Sequence, residues 1–320
     1  MKKSLKFFAK APGKIIITGE HFVVHGSLAL AAAIDKRALV EAEAFEGIEI
    51  VSKALGFFSL KKGKVPPSLK PTLEAIKATL EYIGEKKGVR VIIDSDLPVS
   101  SGLGSSSAVA VATVAATASA LNHELSPEEM INLAMVSERI THGKPSGIDV
   151  NVAVYGGVIL FKMGEKSKQI KLDRDVEFLV SHCGIERKTC EMVSRFSEMK
   201  KLYPNLFTSL VSSSNYFTEM AAYSLVNKDL TNLGSIMNFF HVVLSKFGIS
   251  IKELDHIVES ALEAGCIGAK LTGAGGGGCT IALPKAGEAK VVAELLKRKG
   301  IDVSIIKLPI EGVRVWREKS

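Results

Sequence analysis

The sequence predicts an α+β protein in two parts, on three observations. Apolar, β-prone runs with helical patterns inserted between them fill the first half. Helical spacing dominates residues 188–264, and the tail alternates strand, loop, strand, helix, strand. With 320 residues, 47% hydrophobic and 23% charged, the chain is long enough to bury a sizeable core.

The elements follow in order. Residues 7–9 and 15–18 are apolar and β-prone and read as strands, and 29–44 holds one or two more. Leu73, Ile76, Leu80 and Ile83 recur at helical spacing, and 89–93 reads as a buried strand. The stretch 104–121 is apolar nearly all round, as a helix inside a core is. After Asn122 and His123, Ser126, Pro127 and Glu129 mark a helix start with cap, first-turn proline and capping-box acid, and that helix runs to about 141. Gly143, Pro145 and Gly147 form a loop, and 150–161 reads as strand-rich, turning at Gly156 and Gly157. Four helices are expected over 188–264, then strands at 267–271, 279–283 and 303–308 around a helix at 288–299. A boundary within 165–185 divides the chain into domains 1–170 and 171–320.

Several function classes fall away. The longest apolar stretch, 108–121, is short of the roughly 20 residues a membrane span needs. No N-terminal stretch reads as a signal peptide, so a cytoplasmic protein without membrane contact is expected. The net charge of +7 is spread along the chain, with one tight cluster at Lys61, Lys62 and Lys64 and no basic stripe with interleaved aromatics. A nucleic-acid partner is therefore not expected. Cys183, Cys190, Cys266 and Cys279 make no CxxC pair, which points to reduced thiols rather than zinc or redox chemistry.

Four motifs carry chemistry. The first is the loop of Pro98, Ser100, Ser101, Gly102, Leu103, Gly104, Ser105, Ser106 and Ser107, which follows a buried strand and opens the apolar helix. The first amides of a helix lack internal partners and its dipole is positive there, so an anion is favoured. Such a loop can cradle phosphates while a serine hydroxyl reaches Mg²⁺. It is not a Walker A loop, and a ligand-free Ser/Gly cap has the same pattern. The second motif is Lys14, an apolar strand, then Glu20, His21, His25 and Gly26. His25 reads as a turn residue. The third runs from Glu138 to Asp149, where one carboxylate can orient or deprotonate a hydroxyl and another can bind Mg²⁺. Asp149 is expected at the start of a strand, and His142 reads as structural. The fourth is Lys270, Thr272, Gly273 and the glycine run 275–278. Four successive glycines are entropically unfavourable, so they serve a close backbone approach, either to a ligand or to another segment.

In this order the motifs resemble the GHMP kinase superfamily over nearly the whole chain, from Ala9 to about Leu308, and its mevalonate branch most. That resemblance implies an N-terminal β/α phosphate-loop domain and a C-terminal ferredoxin-like domain with extra helices. It implies ATP, Mg²⁺ and transfer of the γ-phosphoryl to the C5 hydroxyl of mevalonate, with a homodimer as a plausible assembly. By position, Asp149 matches the residue that orients or deprotonates the hydroxyl, and Lys14 the lysine beside it. Ser106 and Glu138 match the Mg²⁺ ligands, and the 98–107 loop the ATP cradle. Glu20, His21, Thr272 and Gly273 match positions near the substrate. The chain departs from the family at Phe22, Ser107, Val150 and the pair Phe240–His241. Ser107 supplies a third hydroxyl that competes with Ser106 for the metal assignment.

Overall fold

Two sheets organise the chain in the computed structural model, which describes residues 5–318 except 55, 60–64, 99–100, 174 and 187–188. Of 56–59 and 190 it describes the backbone alone. The lysine cluster at 61–64 lies outside the described residues.

β1 (Phe7–Thr18) and β2 (Ala29–Phe45) are long antiparallel partners. The two short strands expected at 7–9 and 15–18 are one, running through Lys10 and Lys14. Pro12, which has no amide to donate, falls at a register shift between Pro12 and Gly13. β2 is a single strand. Its first half is small, apolar and buried on both faces; its second half alternates buried and half-exposed residues. β3 (Glu49–Ser52) and β4 (Gly56–Ser59) form a hairpin, followed by α1 (Lys70–Tyr82) and β5 (Gly88–Ser95).

α2 (Ser105–Ala120), rich in alanine and valine, lies buried against β1 and β2. α3 (Pro127–His142) starts on the expected capping box: Ser126 Oγ accepts from Glu129 N–H, and the Glu129 carboxylate accepts from Ser126 N–H. α4 (Ile148–Tyr155) corrects the sequence reading, which made these residues strand. Ile148, Val150, Val152 and Val154 recur at every second position and are β-branched, the signature of a strand. Yet Gly147 turns at φ 87° before the helix and Gly156 at φ 65° after it, and the apolar side chains are buried inside the core. Burial overrides propensity here. Only β6 (Val158–Phe161), paired with β2, is strand, and β7 (Lys168–Ile170) pairs with β6.

The remaining elements are β8 (Val176–His182), α5 (Thr189–Leu202), α6 (Pro204–Asn227), α7 (Leu230–Lys246), α8 (Lys252–Glu263), β9 (Gly268–Thr272), β10 (Cys279–Leu283), α9 (Ala289–Arg298), β11 (Val303–Leu308) and β12 (Arg314–Arg317). The first sheet runs β12-β1-β2-β5-β3-β4, with β6 and β7 branching from β2. The second runs β11-β8-β10-β9, all antiparallel, the split β-α-β order of a ferredoxin-like unit with extra helices between its first two strands. One apolar cluster joins the halves, with Ile15 and Phe22 from the first and Phe196, Phe240 and Leu271 from the second. Among the described residues, no helix is long and apolar enough to cross a membrane.

Candidate active site

A cleft of about 460 Å³ opens where β1, the 19–25 turn, the end of α3, the start of α4, α5 and the β9–β10 loop meet. It gathers residues from the second, third and fourth motifs, and the first, the 98–107 loop, adjoins it through Lys14.

Asp149 sits in the first turn of α4, not at a strand start, so the positive end of the helix lies beside its carboxylate. Its Oδ1 is 3.2 Å from the Lys14 ammonium. Lys14 is 2% exposed and comes from the middle of β1. The phosphate-type loop holds that strand: Lys14 N–H donates to Leu103 O at 2.8 Å. A Cβ on Gly104, at φ 79°, would stand 3.0 Å from Lys14 Cγ, so glycine brings the loop down onto the lysine.

In the same loop the Ser101 hydroxyl donates to Pro98 O at 2.9 Å and accepts from Leu103 N–H, so it shapes the turn. Ser100 lies outside the described residues. Gly104 caps α2, and the first amides of that helix are left for an anion.

Ser106 Oγ donates to Glu138 Oε1 at 3.1 Å. Glu138 is 4% exposed and His142 Nε2 stands 3.9 Å from its other oxygen. Burial pushes the Glu138 carboxyl above its usual range and the Asp149 charge pushes the same way, while His142, Ser107 and Ser106 pull it back. Two carboxylates that repel one another beside serine hydroxyls form a hard-oxygen donor set, which suits Mg²⁺ completed by waters and phosphate oxygens. The residues present therefore fit the ion.

The cleft floor is Glu20 and His21. His21 has a left-handed backbone, φ 61°, uncommon outside glycine and typical of functional sites. Its ring is buried, which pulls its pKa down to about 4. The neutral imidazole places its proton on Nε2, because Nε2 lies 2.8 Å from Ala274 O, a pure acceptor. Nδ1 is then left as an acceptor. Glu20 is buried and paired with Lys270, also buried, through Oε1; its Oε2 has no hydrogen-bond partner among the described residues.

Thr272 does not line the cleft. Its hydroxyl accepts from Ile16 N–H at 2.8 Å and donates to Ile16 O at 3.0 Å, tying β9 to β1. Gly273 and Ala274 line the cleft in its place. The glycine run serves other segments of the chain. A Cβ on Gly275 would meet Ile249 O at 2.3 Å, one on Gly276 Met192 Cγ at 2.8 Å, and one on Gly277 Ile185 O at 2.7 Å.

The sequence reading placed Lys270 in the fourth motif but gave it no partner, although a lysine inside an otherwise apolar strand signals a buried charge that needs one. It also took His142 for structural, where the ring lines the cleft, and it missed Lys144 and the α5 residues Thr189, Val193 and Ser194. Nothing local marks α5, since its role arises from how it folds over the cleft.

Comparison with known proteins places the chain in a family. The model of the GHMP kinases N terminal domain matches residues 71–157, and that of the GHMP kinases C terminal matches 221–302. The chain is 35% identical to the mevalonate kinase of Aeropyrum pernix, over 96% of this chain and 97% of that protein. It is 36% identical to the mevalonate kinase of Pyrococcus abyssi over the same shares. Its fold matches the crystal structure of L. major mevalonate kinase in complex with R-mevalonate, with a TM-score of 0.80, 28% identity, and 95% and 96% of the two chains covered.

Proposed function

The chain belongs to the GHMP kinase family, with mevalonate kinases as its full-length relatives, and on that premise we propose that it transfers the γ-phosphoryl of ATP to the C5 hydroxyl of mevalonate. The observation that carries the reading is the Lys14–Asp149 pair, 3.2 Å apart, set between the open end of α2 and the Glu20–His21 floor of one cleft.

Phosphoryl transfer depends on alignment and charge neutralisation more than on covalent help. The triphosphate lies along the 98–107 loop, against the first amides of α2. The alcohol enters from the Glu20–His21 side and meets Asp149. Its oxygen forms the bond to the γ-phosphorus as the bond to the bridging oxygen of ADP breaks. Asp149 orients that hydroxyl and takes its proton as the new bond forms. Lys14 offsets the charge that builds on the transferred oxygens. Ser106 and Glu138 would hold Mg²⁺, which when bound supplies charge neutralisation between the phosphates. Gly273 and Ala274 close the floor beside His21, and the cytoplasm is the expected setting.

A coupled assay of ADP release on mevalonate, phosphomevalonate, galactose and homoserine tests the reading. Mg²⁺-dependent turnover on mevalonate with little on the other three is expected. No turnover on mevalonate overturns the substrate assignment.

A further inference from the structure

Behind the cleft floor lies a second buried ion pair that the transfer itself leaves without a role, and one member of it, Glu20, lines the cleft. Lys270 and Glu20 have side-chain exposures of 0% and 1%. The Lys270 ammonium donates to Glu20 Oε1 and, at 2.6 Å, to Leu271 O. Glu20 Oε2 is buried and takes no hydrogen bond from the described residues, while Glu20 lines the cleft together with Lys14. A buried carboxylate is tolerated when its charge is matched and its lone pairs are filled. Lys270 matches the charge and fills one oxygen; the other is an acceptor without a donor, at the wall of a cleft that binds an alcohol.

The two lysines are also competitors. Lys14 acts electrostatically on both Glu20 and Lys270, so two lysines and two acids alternate from behind the floor into the cleft: Lys270, Glu20, Lys14, Asp149. Lys144 also lines the cleft, but among the described residues the cations that act on Glu20 are Lys270 and Lys14. His21, on the same turn as Glu20, and His241, facing Lys270 from α7 with Asp255 of α8 beside it, are both buried in their neutral forms, each with a pKa near 4.

We propose that Lys270 is a positioning residue for the transfer: by pairing with Glu20 Oε1 it leaves Oε2 free to accept from a substrate hydroxyl and keeps the Lys14 ammonium on Asp149. The proposal rests on the reading of the cleft as an alcohol kinase site. Without Lys270, Glu20 draws Lys14 across the floor, and the cation leaves the reacting oxygen.

The test is a cycle of Lys270→Met, Glu20→Gln and the double variant, with kcat and KM for the alcohol measured between pH 6 and 9. Wild-type turnover on the substrate panel is read first and reports on the proposed function by itself. If another alcohol is the substrate, the cycle is run on that alcohol. Lys270→Met is expected to lower kcat by about 10- to 100-fold, as a displaced catalytic group does. Glu20→Gln is expected to raise KM by about tenfold, the loss of one hydrogen bond to a charged acceptor. Adding Lys270→Met to Glu20→Gln should leave kcat within about twofold, because a neutral amide draws no ammonium. A further fall of about tenfold or more in the double variant overturns the proposal, since Lys270 then acts other than through Glu20.

The pH profile is a second readout. Burial raises the Glu20 carboxyl above its usual range, and Lys270 pulls it part of the way back. In Lys270→Met that pull is gone, Glu20 stays protonated to higher pH, and KM should fall as pH rises; a flat KM overturns the proposal. If Lys270→Met does not fold, the double variant, which buries no charge, still allows the comparison of kcat with Glu20→Gln, and that comparison decides.

Discussion

The chemistry proposed for Asp149 depends on three neighbours as much as on its own identity. Gly147 turns the chain so that α4 can begin, the helix end favours a negative charge, and Lys14 stands 3.2 Å away. Asp149→Asn keeps the shape and removes the charge. It should lower kcat by about 10²- to 10⁴-fold, the usual contribution of a positioned base, with KM for ATP little changed. Steady-state kinetics check this, and near wild-type turnover would remove Asp149 from the reaction. The two serines beside Glu138 separate in the same way. Ser106 is half-buried and Ser107 is 1% exposed. Ser106→Ala should raise the Mg²⁺ concentration for half-maximal activity by about tenfold or more, whereas Ser107→Ala should mainly lower the melting temperature. A Mg²⁺ titration of both variants decides which hydroxyl belongs to the ion. At this scale the sequence was informative wherever a residue type is rare in its context. Lys14, Glu138 and Asp149 stood in motifs, and the fold brings them to one cleft. Thr272 also stood in a motif, but its hydroxyl turned out to bridge two strands, which only the pairing of β9 with β1 could reveal.

The elements show where local pattern gives way to packing. The β-branched residues from Ile148 to Val154 favoured a strand because a short, largely apolar segment cannot be told from a short buried helix by periodicity alone. The glycine run is the reverse case: the need for a close approach was legible, but the partner was not. Gly275 at φ 74° faces a backbone carbonyl, whereas Gly276 at φ 64° faces the flexible Met192 side chain. Gly275→Ala should therefore destabilise by about 2–4 kcal/mol and Gly276→Ala by about half as much, as urea unfolding will show. His241 links three elements. It comes from α7, its Nδ1 accepts from Leu271 N–H of β9, and its Nε2 is 3.3 Å from Asp255 Oδ1 on α8. Burial holds its pKa near 4, against the pull of Asp255. The unfolded chain takes up a proton at this residue as pH falls through about 6.5 and the folded chain does not until near 4, so stability is lost across that window. The loss attributable to His241 is about 2–3 kcal/mol at the acid end. His241→Gln should flatten that part of the pH dependence of unfolding, and an unchanged slope would show that the ring is charged in the fold.

At the scale of the molecule, the feature hardest to read from the sequence is the return of the tail. β12 pairs with β1, Phe7 opposite Arg317 and Phe8 opposite Trp316, so the last described strand completes the sheet that the first one starts. A pairing across almost the whole chain leaves no local trace, because each strand alone is a short run with no marker of its partner. The segment just before β12 does something different. Gly157 N–H donates to Ile310 O at 2.6 Å and Val313 N–H to Val154 O at 3.3 Å, and a Cβ on Gly312 would strike Val154 O at 2.2 Å. Residues 310–313 thus clamp the far end of α4, the helix whose first turn carries Asp149. Two variants separate the edge from the clamp. Trp316→Ala removes the stack on Phe8, whose ring lies 5.6 Å away, and should destabilise by about 1–2 kcal/mol with kcat unchanged. Truncation after Glu311 removes part of the clamp as well as β12 and exposes the edge of β1, which is then open to pairing with other chains. It should lower the melting temperature further, promote self-association in size-exclusion chromatography, and reduce kcat by about tenfold at temperatures where the protein is still folded, because the helix that aims Asp149 has lost its anchor. If the truncated enzyme keeps wild-type kcat while folded, α4 is held by its own core contacts and the tail serves the sheet alone.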